Sequence, residues 1–119
     1  MDSPQANTLR KEERLCGKKD ISALIAGGRW GMTPHIKYCW KATGGDGTNR
    51  IMVSVPKKYF KRAVKRNLLK RRIREAYRTQ KSLLNCTGTD ILFQYNCAEP
   101  VPYETVREDV ATILKKVSG

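Results

Sequence analysis

Apolar residues recur along the chain with two different periods, and the period changes from segment to segment. Between Lys18 and Ala26 they stand at Ile21, Leu24 and Ile25, a spacing that predicts a short amphipathic helix stopped by Gly27-Gly28. From His35 to Lys41 the period drops to two. Ile36, Tyr38 and Trp40 face one way and His35, Lys37, Cys39 and Lys41 the other, which predicts a strand with one buried face. Ile51 to Val55 is β-branched and apolar enough for a second strand. The segment 43–49 between them (Thr-Gly-Gly-Asp-Gly-Thr-Asn) is turn-like, so the two strands are expected to form a hairpin. A glycine-rich loop cradles phosphate where it opens a helix; this one joins strands and is assigned as a turn.

Arg62 to Asn85 predicts the longest helix. Leu69, Ile73, Ala76, Tyr77, Leu83 and Leu84 fall on one side of it, at steps of three and four. Asn67, Lys70, Arg71, Arg74, Arg78 and Lys81 occupy the opposite arc, while Arg62, Lys65 and Arg66 project near the preceding loop. Thr87-Gly88 closes the helix, and Asp90 to Tyr95 predicts a third strand with Ile91, Phe93 and Tyr95 on one face. After Pro100 and Pro102 a last helix is expected from Tyr103 to Val117, striped by Val106, Val110, Ile113, Leu114 and Val117. Its acids Glu104, Glu108 and Asp109 come early and Lys115-Lys116 late, which suits the helix dipole. The order is helix, two strands, long helix, strand, helix. This predicts an α+β fold of two layers, with residues 1–13 a flexible polar, basic tail and 14–119 one domain.

Composition turns this outline into a functional expectation. The 119 residues carry 24 Lys+Arg against 11 Asp+Glu, a formal charge of +13, and are 39% hydrophobic. That is one domain with a modest core, which argues against a disordered polycation. The charge is local: Lys57 to Lys81 holds twelve cations and one acid, Glu75, a net +11 that leaves only +2 for the rest of the chain. Such a field makes a polyanionic partner the leading expectation.

Other signals are quieter. No signal-peptide core or membrane-length apolar run is evident near the start, which predicts a cytoplasmic protein with no membrane association. Cys16, Cys39, Cys86 and Cys97 are scattered, and His35 is the only histidine, so reduced and mostly buried thiols are expected rather than a metal site. Catalysis by the protein itself is poorly supported. His35 has no evident partner for a nucleophile–base relay and is expected at the surface, and the acids are too dispersed to hold two metals.

Nucleic-acid binding is well supported by contrast. A cationic arc opposite an apolar stripe docks on phosphates while the stripe holds the helix to a sheet. An ordinary solvated helix mixes charge signs to form i,i+4 pairs, and one glutamate among twelve cations cannot do that. A leucine zipper would need heptads after the basic region, and Gly88 ends the helix instead. Composition alone favours a non-catalytic RNA-binding protein, such as a ribosomal protein.

The arrangement of these residues resembles a known family. Ser54-Val55-Pro56-Lys57-Lys58, followed by Ala63-Val64-Lys65-Arg66-Asn67-Leu68-Leu69-Lys70-Arg71-Arg72-Ile73-Arg74-Glu75, is similar to the signature of the bacterial ribonuclease P protein subunit. Length, charge and element order agree from Leu9-Arg10-Lys11 to the last helix. The resemblance implies an α/β sandwich, a small central sheet with three helices and a left-handed β-α-β crossover. It also implies the protein subunit of an endonuclease whose RNA subunit performs the chemistry, removing the 5′ leader of precursor tRNA with Mg²⁺ held mainly by that RNA. No obligate protein partner is evident. On this resemblance the catalytic RNA contacts Lys57, Lys58, Arg62, Lys65, Arg66, Asn67, Lys70, Arg71 and Arg74. A leader cleft between the sheet and the first helix involves Ile21, Ile25, Tyr38 and Trp40. Two departures stand out. Tyr59-Phe60-Lys61-Arg62 replaces a Gly-Asn step found in many members, and isoleucines at 21 and 25 stand where many members carry phenylalanines. Stacking on leader bases would then move to Tyr38 or Trp40, unless those rings belong to the core.

Overall fold

The computed structural model describes residues 15, 17–42, 48–84 and 88–118. The expected tail over residues 1–13, and most of the turn at 43–49, lie outside the described residues. Three helices, α1 (Lys18–Gly27), α2 (Ala63–Arg78) and α3 (Tyr103–Ser118), pack on a sheet of β1 (Arg29–Met32), β2 (Ile36–Ala42), β3 (Arg50–Ser54) and β4 (Thr89–Tyr95). The architecture is α+β, with strand order β1-β2-β4-β3.

The strand order corrects the expected hairpin. β2 pairs antiparallel with β1 and β4, and among the described strands β3 pairs only with β4, in parallel. The reason lies in β4, whose first five residues are all buried. A strand buried on both faces belongs in the middle of a sheet, so β4 inserts between β2 and β3 and pushes β3 outward. The chain from β3 through α2 to β4 is therefore a β-α-β unit. β1 has no counterpart in the sequence-based outline. Its four residues, Arg-Trp-Gly-Met, are too few to show alternation, yet they pair in register with Trp30 opposite Cys39 and Gly31 opposite Tyr38. Gly31 is required there because the Tyr38 ring occupies the space a Cβ would take.

Helices cover both faces, so the two-layer expectation becomes three. On one face Ile36 and Tyr38, Ile51, Val53 and Val55, and Ile91, Phe93 and Tyr95 meet Leu69, Ile73, Ala76 and Tyr77 of α2 and the predicted stripe of α3. On the other, Cys39 and Leu92 meet Leu24 of α1 and Leu15, with Ile21 and Met52 packed alongside. Cys39, which the alternation places on the face opposite Ile36 and Tyr38, is buried beneath α1 in line with the expectation of mostly buried thiols, and its thiol donates to the Leu24 carbonyl at 3.4 Å.

Two further expectations change. α2 ends at Arg78 instead of Asn85. The buried Gln80 amide donates to the Ala76 and Arg107 carbonyls, both at 3.0 Å, which ties the end of α2 to α3. Residues Lys81–Leu83 then form a separate 3₁₀ turn, so Lys81 leaves the cationic arc. His35 is not a lone surface residue either. Its Nδ1 lies 2.9 Å from Oδ2 of the buried Asp109, joining the start of β2 to α3.

Candidate nucleic-acid interface

The basic surface grows out of the end of β3. Beyond Ser54 the chain turns through Pro56, whose carbonyl accepts from the amides of Tyr59 and Phe60 at 3.3 and 3.4 Å. Phe60 is buried with its ring edge-on to Tyr95 at 5.7 Å, and the Tyr59 hydroxyl donates to Asn96. Tyr59 and Phe60 thus root the loop in the core and leave Lys57, Lys58 and Lys61 exposed around it. Lys58 Nζ sits 5.0 Å over the Tyr59 ring.

α2 begins at once, with no acidic residue in its first turn and no side-chain cap. Its open amides and dipole add to the positive field of Arg62 and Lys65. Lys65, Asn67, Arg71 and Arg74 are exposed and Lys70 is half-buried, while Leu69, Ile73 and Tyr77 lock the opposite side into the core. Val64 (81% exposed) and Leu68 (37%) lie one turn apart among these cations and form a short apolar ridge.

Not every cation is available. Arg66 Nη1 donates to the carbonyls of Phe60 (2.9 Å) and Lys61 (2.8 Å), so this side chain braces the loop. Arg72 donates to the Val101 carbonyl at 2.7 Å, and Arg78 pairs with Glu75, whose carboxyl it holds below the usual range. Among the described residues Lys57, Lys58, Arg62, Lys65, Lys70, Arg71 and Arg74 enter no ion pair. Their positive charge is not neutralised by any acidic side chain among the described residues.

The four residues assigned to a second cleft are not brought together. Ile21 and Ile25 belong to α1, half-buried and 46% exposed respectively. Tyr38 is buried on the opposite face of the sheet, in the core shared with α2 and α3, and Trp40 packs against that same core. Tyr38 is therefore core, not a stacking surface. The α1 side instead presents Trp30 (44% exposed) and Met32 (57%), opposite Cys39 and Lys37 in the register, with Lys37 Nζ 5.0 Å from the Trp30 ring. The only sequence cue to this strip is a tryptophan placed between Gly27-Gly28 and Pro34.

Among the described residues no three His, Cys, Asp or Glu side chains lie close enough to hold a metal ion, and no helix is long and apolar enough to cross a membrane. Cys39 and Cys97 are free thiols, and burial pushes the Cys39 thiol up from its ordinary range.

Comparisons with known proteins agree on one family. The family model described as Ribonuclease P matches residues 9–118. A ribonuclease P protein component of Porphyromonas gingivalis is 32% identical over 112 residues, covering 92% of this chain and 79% of the relative. One from Chlorobium phaeobacteroides is 36% identical over 89 residues, covering 71% of this chain and 61% of the relative. The ribonuclease P protein of Thermotoga maritima superposes with a TM-score of 0.78 at 28% identity, over 90% of this chain and 99% of that one. A Staphylococcus aureus ribonuclease P protein shares the fold at a TM-score of 0.78 and 24% identity, over 90% and 98% of the two chains.

Proposed function

The chain belongs to the ribonuclease P protein family, and on that premise we propose that it docks on the family's RNA through the loop after β3 and the exposed side of α2. Protein components of this family work with the ribonuclease P RNA in a ribonucleoprotein enzyme. Lys57, Lys58, Arg62, Lys65, Lys70, Arg71 and Arg74 neutralise its phosphates, Asn67 adds a neutral donor, and Arg66 acts by holding the loop in shape. The observation that carries this reading is the absence of an ion pair for these seven cations among the described residues, on a helix whose other side is buried.

The cleavage chemistry belongs to the RNA subunit in this proposal. The described side chains offer no cluster suited to a metal, so Mg²⁺ is assigned to the RNA and no step is routed through the protein. The substrate is precursor tRNA, whose 5′ leader runs along the α1 side of the sheet past Ile21, Ile25, Met32 and the Trp30–Lys37 pair. A single-stranded leader suits such a strip, since stacking on an aromatic ring tolerates any base sequence. The proposal takes the cytoplasm as the place of this work.

Purified protein alone is expected to leave precursor tRNA intact. Adding a bacterial ribonuclease P RNA with Mg²⁺ should give cleavage at the mature 5′ end, at lower Mg²⁺ than the RNA needs by itself. Full activity in RNA-free protein, or no effect of the protein on the RNA, would reject the proposal.

A further inference from the structure

Two large apolar side chains, Val64 and Leu68, stand exposed in the middle of the cationic side of α2. At about 100° per residue they share with Arg71 an arc of about 60°, on the side of the helix away from the buried Leu69, Ile73, Ala76 and Tyr77. Lys65 and Arg72 flank this line on one side, and Asn67, Lys70 and Arg74 on the other. Further along it Glu75 pairs with Arg78. The ridge is therefore the midline of the docking surface. A partner that brings phosphates to both flanks must cover Val64 and Leu68.

The position of the ridge restricts what can cover it. A second copy of the chain would set like charges face to face, since Lys57 to Lys81 carries a net +11 in each. A regular RNA duplex presents phosphates and, in its wide shallow minor groove, 2′-hydroxyls; its deep major groove is closed to side chains. Pressed on that polar surface, a valine and a leucine would strip water from hydroxyls and phosphates and return no hydrogen bond. The apolar surface that RNA offers is the face of a base. That face is open where a nucleotide is unpaired and splayed from its stack. Asn67, exposed at i+3 from Val64 as Leu68 is at i+4, places an amide beside the same spot for the edge of such a base.

We propose that Val64 and Leu68 form a platform for the face of one unpaired base of the RNA, with the Asn67 amide on its edge. α2 then docks at an irregular, unstacked point and not along a regular duplex. The inference rests on the proposed docking of α2 on RNA and deepens it. Phosphate contacts on the flanks hold any RNA, whereas the ridge selects the place on the RNA where the helix sits.

Salt separates the two contributions. Phosphate neutralisation sets the slope of log affinity against log salt, whereas an apolar contact moves the whole line. Val64→Thr with Leu68→Gln makes the ridge polar while keeping its size and the helix. Affinity of this variant for a bacterial ribonuclease P RNA should fall about tenfold at every salt concentration, with the slope unchanged. For a fully paired RNA duplex it should stay within about twofold of wild type. Arg71→Ala with Arg74→Ala should instead flatten the slope on both RNAs. Circular dichroism melts are run beside the titrations. If Leu68→Gln lowers the midpoint, Val64→Thr alone carries the same comparison, with a loss of about threefold expected on the ribonuclease P RNA. An unchanged affinity for that RNA, or an equal loss on the duplex, would overturn the proposal. So would a dimer of the RNA-free protein in sedimentation that the polar variant abolishes. A steep wild-type slope with an idle ridge removes only the platform; a flat wild-type slope removes the docking of α2 and the platform with it.

Discussion

Arg50 and Asp90 face each other across the parallel β3–β4 ladder and are joined by two bonds, Nε to Oδ1 at 2.9 Å and Nη2 to Oδ2 at 2.8 Å. Asp90 is buried, and the Arg50 pKa is raised chiefly by its hydrogen bonds to Asp90. Nη1 of the same guanidinium reaches Asp20 on α1 at 3.2 Å. One side chain thus connects an outer strand, the central strand and the helix on the far face.

Arg50→Ala should accordingly cost about 3–5 kcal/mol, because it leaves the Asp90 carboxylate buried without a partner. Asp20→Ala removes only an exposed contact and should cost less than about 1 kcal/mol. Urea denaturation of the two variants checks the contrast. Equal losses would show that Arg50 acts no differently from a surface ion pair.

Some of this organisation was legible in the sequence and some was not, for identifiable reasons. The alternation at Ile91, Phe93 and Tyr95 and the stripes of α2 and α3 follow directly from the two side-chain periods, and all of them are buried. Strand partners are a different matter. Nothing local told β3 to pair with β4 instead of β2, since that choice depends on burial of both faces of β4. Face parity was legible for Tyr38 and Trp40. What covers the other face was not, because α1 packs over Cys39 from a distance in sequence. In the candidate site the cations were visible as a cluster. The internal use of Arg66 and Arg72 was not, because their partners are backbone carbonyls, and a carbonyl leaves no mark in a sequence.

That difference between arginines gives a second prediction. Arg74 is exposed and enters no ion pair among the described residues, so Arg74→Ala should weaken RNA binding by about 1.5–3 kcal/mol if its phosphate contact is desolvated, with the thermal midpoint unchanged. Arg66→Ala should instead lose stability of about 1–3 kcal/mol through the two carbonyls it leaves unpaired, and binding should fall with it. Ile73→Ala should cost about 2–5 kcal/mol by opening a cavity in the core. Circular dichroism melts beside filter-binding titrations separate the three. An Arg66→Ala protein with a normal melt and selectively weakened binding would return Arg66 to direct phosphate contact.

Salt provides an independent check on the docking surface. If six to ten phosphates are neutralised, affinity for the RNA should drop by about 10³–10⁵ between 50 and 200 mM salt, and somewhat less where the contacted RNA is single-stranded. Removing Arg71 and Arg74 together should reduce the slope by close to two phosphates. A flat salt response would locate binding away from α2.

Burial of Cys39 predicts a pH dependence. The folded thiol keeps its proton to higher pH than the unfolded one. The unfolded state therefore releases its proton first, and stability should fall as pH rises above the ordinary thiol range of about 8.5. Cys39→Ala should flatten that part of the profile, which urea midpoints at pH 7 and pH 10 would reveal against wild type. Mass-spectrometric mapping after iodoacetamide treatment at pH 8 should also find Cys39 protected while the half-buried Cys97 is modified. Rapid alkylation of Cys39 in the folded protein would contradict the packing of α1 over the sheet.

The last prediction separates the two aromatic positions on which a leader cleft depends. Trp30 is exposed beside Lys37 on the α1 side, whereas Tyr38 is sealed in the core on the other face. Stacking of one base is worth about 1–3 kcal/mol by alanine substitution. Trp30→Ala should therefore weaken binding of leader-bearing precursor tRNA to the assembled ribonucleoprotein by about 5- to 150-fold, and leave binding of leaderless tRNA unchanged. Tyr38→Ala should instead cost about 3–5 kcal/mol of stability and affect both RNAs alike, through the fraction of protein unfolded. Measuring both affinities for both variants keeps the causes apart, because only a direct contact distinguishes the two RNAs. A Trp30→Ala complex whose affinity for precursor and for mature tRNA changes by the same factor from wild type would remove the leader from this strip. A stable Tyr38→Ala protein that discriminates the two RNAs would put the cleft on the face of the sheet that α2 and α3 cover.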